Sequence, residues 1–421
     1  MLQTRIVNNN ISLTYIPMGK LKTTTIGFYI HCPLDKKTAS YNALLAAILK
    51  QGSCEYPTRE LLTKRLDELY GSTLAAGVSK KGEDHILSFE AECISDKYTL
   101  GNEKLLSQLV SVLFGVIFSP AVENGKFNDD VFKQEQKNLI DRIRASVNDK
   151  RAYANERICQ ITSEGTPYEI SRLGDEETVS KIDNNELYDY YTGMITSSKI
   201  DIYVAGETEL DFVYDKLTSL VSMMDFVDGE IPSCEILAGV GDVKTITEHM
   251  DVTQGKLAMS FTTGIKPSDD ANWGMIVANS IFGGGAHSKL FNNVREKLSL
   301  AYYAGSQMHK FKGFIAVNAG VEFENFEKAY DEILVQLDEL KNGKISDEEF
   351  TAAKMSLINS LNSYYDDQLY MQSFYLGEKI AGTNYSIDDY IKNIENVSIK
   401  DVIDASQNIT LNSVYYLAGR E

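Results

Sequence analysis

The chain is short of the residues from which metal, redox and nucleophilic sites are built. Its five cysteines are Cys32, Cys54, Cys93, Cys159 and Cys234. They are odd in number and widely spaced, and no C-x-x-C occurs, which excludes a zinc knuckle or a redox pair. They read as reduced thiols of a reducing compartment. The five histidines, His31, His85, His249, His287 and His309, are scattered, and no two share a helical turn as a helical metal site requires. His31 and His85 could meet across a sheet near Glu90 and Glu92, but such a row is more often a solvated strand face than a ligand set. There is no G-x-S-x-G elbow and no recognisable Cys/His signature.

Cations are also scarce, with 41 Lys and Arg against 60 Asp and Glu, a formal net charge of −19. Both nucleic acid and anionic membrane surfaces are polyanions, so neither is expected as a partner. No apolar run approaches the roughly 18 residues of a membrane-spanning helix. The first residues, MLQTRIVNNNISLTYIP, lack the apolar core of a signal peptide, so a cytoplasmic location is expected.

What the chain does have is concentrated in Ile281–Tyr303, IFGGGAHSKLFNNVREKLSLAYY. Gly283, Gly284 and Gly285 break regular structure and permit positive φ or a close backbone approach. Leu290, Phe291, Val294 and Leu298 then fall on one helical face. A strand-like run follows from Leu300. Arg295 lies near the end of the helix and Tyr302 just beyond it. The glycines lack both the Gly-Lys-Ser/Thr ending of a P-loop and G-x-G-x-x-G spacing, so close packing is a better reading than phosphate binding.

At 421 residues the chain has room for about two to three domains. The pattern predicts strand Thr23–Cys32, helices Ser40–Lys50 and Thr58–Tyr70, strands Thr73–Ser79 and Asp84–Cys93, and helix Leu100–Phe118. One long charged helix is expected over Phe132–Arg157. A loop, two helices and the strand Ile200–Val204 come next, with helix Phe212–Met224 after them. The stretch 227–243, VDGEIPSCEILAGVGDV, has no helical period and reads as a linker. Beyond it come strand Lys256–Gly264, helix Trp273–Phe282, strands Ala301–His309 and Gly313–Val321, and helix Asn325–Lys341. Asp366 and Asp367 read as helix surface. The order repeats: Leu61–Ala75 parallels Leu290–Ala304. The reading is two homologous α+β halves, 1–226 and 244–421, each a mostly antiparallel sheet with helices on one face.

The run Gly283–Gly285, Ser288-Lys289-Leu290-Phe291, Val294-Arg295-Glu296-Lys297 and Leu300-Ala301-Tyr302 resembles the C-terminal-half signature of the pitrilysin/insulinase family of zinc metallopeptidases, which includes the mitochondrial processing peptidases. The resemblance implies a metalloprotease LuxS/processing-peptidase-like fold. It also implies that the first half should carry an inverted H-x-x-E-H helix, whose two histidines bind Zn²⁺ and whose Glu serves as general base. Counting back from Gly52, those positions hold Ala43, Ala46 and Ala47. The family's first distal Glu matches Glu135, and its metal-binding Glu falls on Arg142, a cation that would repel Zn²⁺. No metal is expected on this chain. Family members use an Arg and a Tyr seven residues apart to hold peptide and oxyanion, and these match Arg295 and Tyr302.

One half-site kept and the other erased resembles the bacterial members that lack the zinc motif and occur beside an active homologue. The expectation is a non-catalytic subunit of a heterodimeric zinc peptidase, inactive alone, with zinc on the partner. The paired chains would form a clamshell around a chamber, and peptide would bind as an added strand. Alone, the chain could pair with itself. The alternative is a structural or peptide-binding protein of the same fold with no peptidase in its assembly.

Overall fold

A computed structural model describes residues 2–101, 103–237 and 241–420. Ala238, Gly239 and Val240 of the expected linker lie outside the described residues. The first half runs β1 (Gln3–Ile6), β2 (Ile11–Pro17), β3 (Thr23–Pro33), α1 (Lys36–Leu49), α2 (Arg59–Glu68), β4 (Thr73–Lys81), β5 (Asp84–Ile94) and α3 (Leu105–Phe118). A short ribbon, β6 (Val122–Glu123) and β7 (Lys126–Phe127), leads to α4 (Asp129–Ala145) and α5 (Lys150–Thr162). Then come α6 (Glu176–Lys181), α7 (Asn184–Ser197), β8 (Lys199–Gly206) and α8 (Asp211–Val221).

The second half runs β9 (Lys244–Met250), β10 (Gly255–Thr262), α9 (Ala271–Gly283), a π-helix (Leu290–Lys297), β11 (Ala301–His309) and β12 (Phe314–Val321). It continues through α10 (Phe326–Lys341), α11 (Asp347–Ser363), α12 (Gln368–Ala381), α13 (Ile387–Asn396), α14 (Ile399–Ser406) and β13 (Thr410–Gly419).

The repeat seen in the sequence is a repeat of topology. One sheet has the order β1-β2-β8-β3-β5-β4 and the other, read from its far edge, β9-β13-β10-β12-β11. Each central strand therefore has a counterpart, β8 with β13, β3 with β10, β5 with β12. In both sheets a single neighbouring pair is parallel, β2 with β8 and β9 with β13, and the other pairs are antiparallel. Strands β1, β2 and β9 were missed in the sequence. β1 and β2 form a hairpin around Asn8–Asn10, while β2 joins β8 and β9 joins β13 only through long-range parallel pairing.

Helices gather on one face of each sheet. In the first, Ile26, Phe28, Ile30 and Cys32 alternate along β3 into a core with α1, α3 and α7. Phe28 meets the rings of Phe114 and Phe118 edge-on at 6.3 and 5.5 Å. In the second, Phe261 meets Phe282 of α9 at 6.1 Å, also edge-on.

The chain divides into two compact units. The first comprises Met1–Arg144, Ile170–Ser233 and Tyr364–Ile380; the second comprises Ala145–Glu169, Cys234–Ser363 and Ala381–Glu421. Unlike the contiguous halves 1–226 and 244–421, each unit contains one helix from the other half of the sequence. The long helix expected over Phe132–Arg157 is in fact two. A 3-10 turn at Ser146–Asn148 ends the first, and Asp149 caps the second by accepting from the Arg151 and Ala152 N–H groups. The same device recurs before α12. Asp366 closes a 3-10 turn and Asp367 accepts from the Leu369 and Tyr370 N–H groups, so this pair is a cap rather than plain helix surface.

The two visiting helices are held differently. On the second sheet, Ala154, Ile158, Cys159 and Ile161 of α5 pack against Ala258, Phe314, Ala316, Tyr415 and Leu417. On the first sheet, α12 meets polar groups. Gln372 Nε2 donates to Thr25 Oγ1 at 2.7 Å, and Gln368 Nε2 to the Thr23 carbonyl at 2.7 Å. Gly27 leaves room for α12, since a Cβ there would lie 2.1 Å from Gln372 Oε1 and displace that side chain.

Candidate functional site

In the first unit, helix α1 is apolar throughout its middle. Asp35 caps it, accepting from the Lys37 and Thr38 N–H groups, so the helix starts at Lys36, four residues before the expected Ser40. Ala43, Ala46 and Ala47 are each 3% exposed, and Ala43 and Ala46 pack in one core with Leu44, Leu45, Ile48 and Leu49. The helix is pinned to α4 by Gln51, whose Nε2 donates to the Ala47 carbonyl at 3.2 Å and to Glu135 Oε1 at 3.0 Å. Glu135 is buried, and Asn138 also donates to it. Arg142 sits two turns further along α4 on the solvent side. Three methyl groups and a guanidinium offer no lone pair to a divalent cation, so these positions do not fit zinc. Among the described residues no group of three His, Cys, Asp or Glu is placed to hold a metal ion.

The histidines do not join. Cys32 lies opposite His85 in the register, and His31 opposite Ile86, so the two rings leave on opposite faces. His85 is buried, with Nδ1 accepting from Asn42 Nδ2 at 3.1 Å and Nε2 donating to the Arg172 carbonyl at 2.9 Å. Burial lowers its pKa to about 4. His31 faces α12 within a cluster invisible to motif reading. Its Nδ1 meets Asp84 Oδ2 at 2.5 Å and its Nε2 meets Asp201 Oδ2 at 3.1 Å. Lys379 of α12 donates to Asp201, and Ser12 Oγ donates to Asp201 Oδ1 at 2.6 Å. Burial alone would lower the His31 pKa, but the hydrogen bonds to Asp201 and Asp84 override it and raise it to about 9. The one signal in the sequence was Asp201 in the otherwise apolar strand KIDIYVAG.

In the second unit, Gly283 ends α9 and Gly284 follows as its cap. Neither these glycines nor Gly285 has positive φ. Their use is close approach: a Cβ on Gly283 would lie 2.5 Å from the Ser306 backbone nitrogen. The helix after them is wound as a π-helix, with Leu298 N–H bonded five residues back to the Asn293 carbonyl at 3.1 Å. The wider turn buries Leu290 and Val294 but leaves Leu298 exposed, against the α-helical spacing. Arg295 lies 4.5 Å over the Phe291 ring and 3.4 Å from Glu296 Oε1. Ser299 then takes φ 51°, a strained value for a non-glycine residue.

Strand β11 begins with a bulge. Ala301 pairs with Val321 and Tyr303 with Gly320, leaving Tyr302 as the extra residue. Bulges re-aim side chains, and Tyr302 is 60% exposed. Its hydroxyl donates to Glu322, and that carboxylate raises the phenol pKa, so the hydroxyl keeps its proton. Strand β11 is also the sheet edge. Along it runs a groove of about 630 Å³, lined by Gly283–Gly285, Gly305–Gln307, and Arg151, Asn155 and Asn318.

A family model described as "Peptidase M16 inactive domain" matches residues 181–357. The Bacillus subtilis (strain 168) protein named "Probable inactive metalloprotease YmfF" is 34% identical over 402 residues, 96% of this chain and 94% of that protein. The chain belongs to the M16 peptidase family. This is the pitrilysin/insulinase family, and the chain is a member of its inactive type. A conserved protein from Enterococcus faecalis V583 has a crystal structure matching with TM-score 0.89 at 28% identity, covering 100% of this chain and 99% of its own. A protease from Helicobacter pylori, 14% identical, shares the M16 fold over 99% of both chains with TM-score 0.82.

Proposed function

We propose that this chain is the non-catalytic subunit of a heterodimeric zinc peptidase, binding peptide and completing the active site of a homologous partner that carries the zinc. The observation behind this is the contrast between two sites. The positions matched to the zinc site are three buried alanines and an exposed arginine, whereas Tyr302 is lifted on a bulge, 60% exposed with its hydroxyl donating to Glu322, and Arg295 lies seven residues before it. A guanidinium and a phenol can both donate to a carbonyl oxygen or to the oxyanion formed on it. Peptide would lie extended along the open β11 edge, adding to the sheet through main-chain hydrogen bonds. The chain supplies binding and positioning, and the partner supplies the metal-assisted hydrolysis. In the absence of that partner, the chain pairs with itself.

The test is a peptide-cleavage assay with metal analysis. The chain is run alone, then with its homologue bearing an intact zinc motif, then as Arg295→Ala or Tyr302→Phe. The expected result is an inert, metal-free chain that raises the homologue's kcat about 100-fold or more, the scale of one oxyanion donor. Each variant should lose most of that gain. Cleavage by the chain alone with stoichiometric zinc would refute the reading. Failure to activate the homologue would leave a structural or peptide-binding protein with no peptidase in its assembly.

A further inference from the structure

We propose that the second unit carries an acceptor site for an organic cation, the guanidinium of an arginine side chain in a basic peptide, between the first turn of α9 and helices α13 and α14. The inference is independent of the peptidase reading. It starts from an open cavity of about 550 Å³.

Two of its walls are aromatic. Trp273 of α9 and Tyr385 both line the cavity, their ring centroids 5.1 Å apart and their planes at 80°. Tyr390 braces the corner, 4.8 Å from Trp273 at 83° and 6.1 Å from Tyr385 at 80°. Lys310 Nζ already lies 5.8 Å over the Tyr390 ring. Among the described residues no cation lies over Trp273 or Tyr385. Both rings border the same cavity nearly at right angles to each other, and an aromatic wall attracts a weakly hydrated cation through its π density.

The rest of the lining is anionic or neutral, and no Lys or Arg belongs to it. Asp270, Asp401 and Asp404 contribute carboxylates, and Asn393 and Asn396 contribute amides. Asp270 stands at the N-cap of α9, yet its side chain makes no capping bond. Neither Asp270 nor Asp404 has an ion-pair partner among the described residues. Asp401 receives hydrogen bonds from the Ser398 hydroxyl and N–H, which lower its pKa and keep it charged. The floor is fixed by Gly274, where a Cβ would lie 2.5 Å from the Asp401 carbonyl oxygen, so α9 and α14 are in backbone contact. A planar guanidinium can stack on one ring and donate to the carboxylates at the rim, whereas a neutral group of the same shape gains neither attraction.

Trp273 is the chain's one tryptophan, so tryptophan emission, excited selectively over tyrosine, reports on this cavity alone. The full chain is titrated with N-acetyl-arginine amide, and with the uncharged N-acetyl-citrulline amide as control, following emission and calorimetric heat together. The expected result is a saturable response to the arginine compound with a dissociation constant in the millimolar range, and none to citrulline. Asp270→Asn and Asp404→Asn should each weaken binding about fivefold, the scale of one exposed charge contact, and added salt should weaken it further. Absence of both heat and emission change overturns the proposal. So does an equal response to citrulline, or unchanged affinity in both variants whose circular dichroism matches the parent.

Discussion

Raising the pH above neutrality should loosen the first unit, because His31 then loses a proton that only the folded state holds tightly. The pKa is about 9 when folded against an ordinary 6.5. That gap of roughly 2.5 units corresponds to about 3 kcal/mol at about 1.4 kcal/mol per unit. Since the folded pKa is the higher one, the contribution is complete below pH 6.5 and is lost as the pH climbs through about 9. Asp201 works at the other end. Burial would raise its pKa, but hydrogen bonding to His31 and the charges of His31 and Lys379 hold it at about 2. Its contribution is present above the ordinary value of 3.8 and is lost as the pH falls through about 2. His85 has the opposite sign to His31. With a folded pKa of about 4, its contribution is present above pH 6.5 and is lost as the pH falls through 4. The assay is urea unfolding of the full chain across this range, with imidazole NMR to follow each ring. His31 should titrate near 9 and His85 near 4, and the His31→Gln variant should lose the alkaline fall in stability. A His31 resonance titrating near 6.5, or an alkaline slope unchanged in His31→Gln, would falsify the reasoning.

Other substitutions probe the remaining features. Lys379→Met removes the cation that α12 brings to buried Asp201; because the lysine is half-exposed, urea unfolding should show a loss of about 1–2 kcal/mol rather than the larger cost of a fully buried pair. Gly283→Ala should cost about 1–3 kcal/mol, since its Cβ meets the Ser306 backbone. Gly285→Ala, facing only the His287 ring, should shift the melting temperature far less. Rebuilding the zinc motif with Ala43→His, Ala46→Glu and Ala47→His should fail to bind zinc by metal analysis and should lower the melting temperature sharply. Polar bulk then enters a packed core, and position 142 supplies no carboxylate to complete a ligand set. Tyr302→Phe should leave stability within about 0.5 kcal/mol of the parent by urea unfolding, as surface changes do.

Much of the architecture was legible because it rests on local pattern. The alternation in Thr23–Cys32, the apolar run before Phe118 and the helix ending near Gly71 all mark elements that fold where their spacing says. The duplication was legible for the same reason, since element order survives when sequence identity does not. What escaped depends on contacts between distant segments. The break at Ser146–Asp149 looks like unbroken charged helix until the Asp149 cap is seen, and only tertiary packing sends α5 to the second sheet. Leu298 fits an α-helical face but is exposed by the wider π-turn. The glycine run was readable as close packing, although its use is proximity to Ser306 rather than positive φ. The His31 cluster draws on β2, β3, β5, β8 and α12, and no spacing rule joins residues that far apart.

The helix exchange bears on the order in which the chain is made. By the time Ser233 has left the ribosome, the first sheet has all six strands, but α12, which bonds to its polar side, is still some 130 residues from being synthesised. Until then Thr25 lacks Gln372, and Asp201 holds His31 without Lys379. Meanwhile α5 has emerged with its apolar side ready for a sheet that does not yet exist. Folding of the nascent chain is thus mutually dependent, with neither unit complete until after residue 380 and the second waiting for β13 as well. The two halves expressed as separate polypeptides should accordingly recover native stability only when mixed, each supplying the helix that the other lacks.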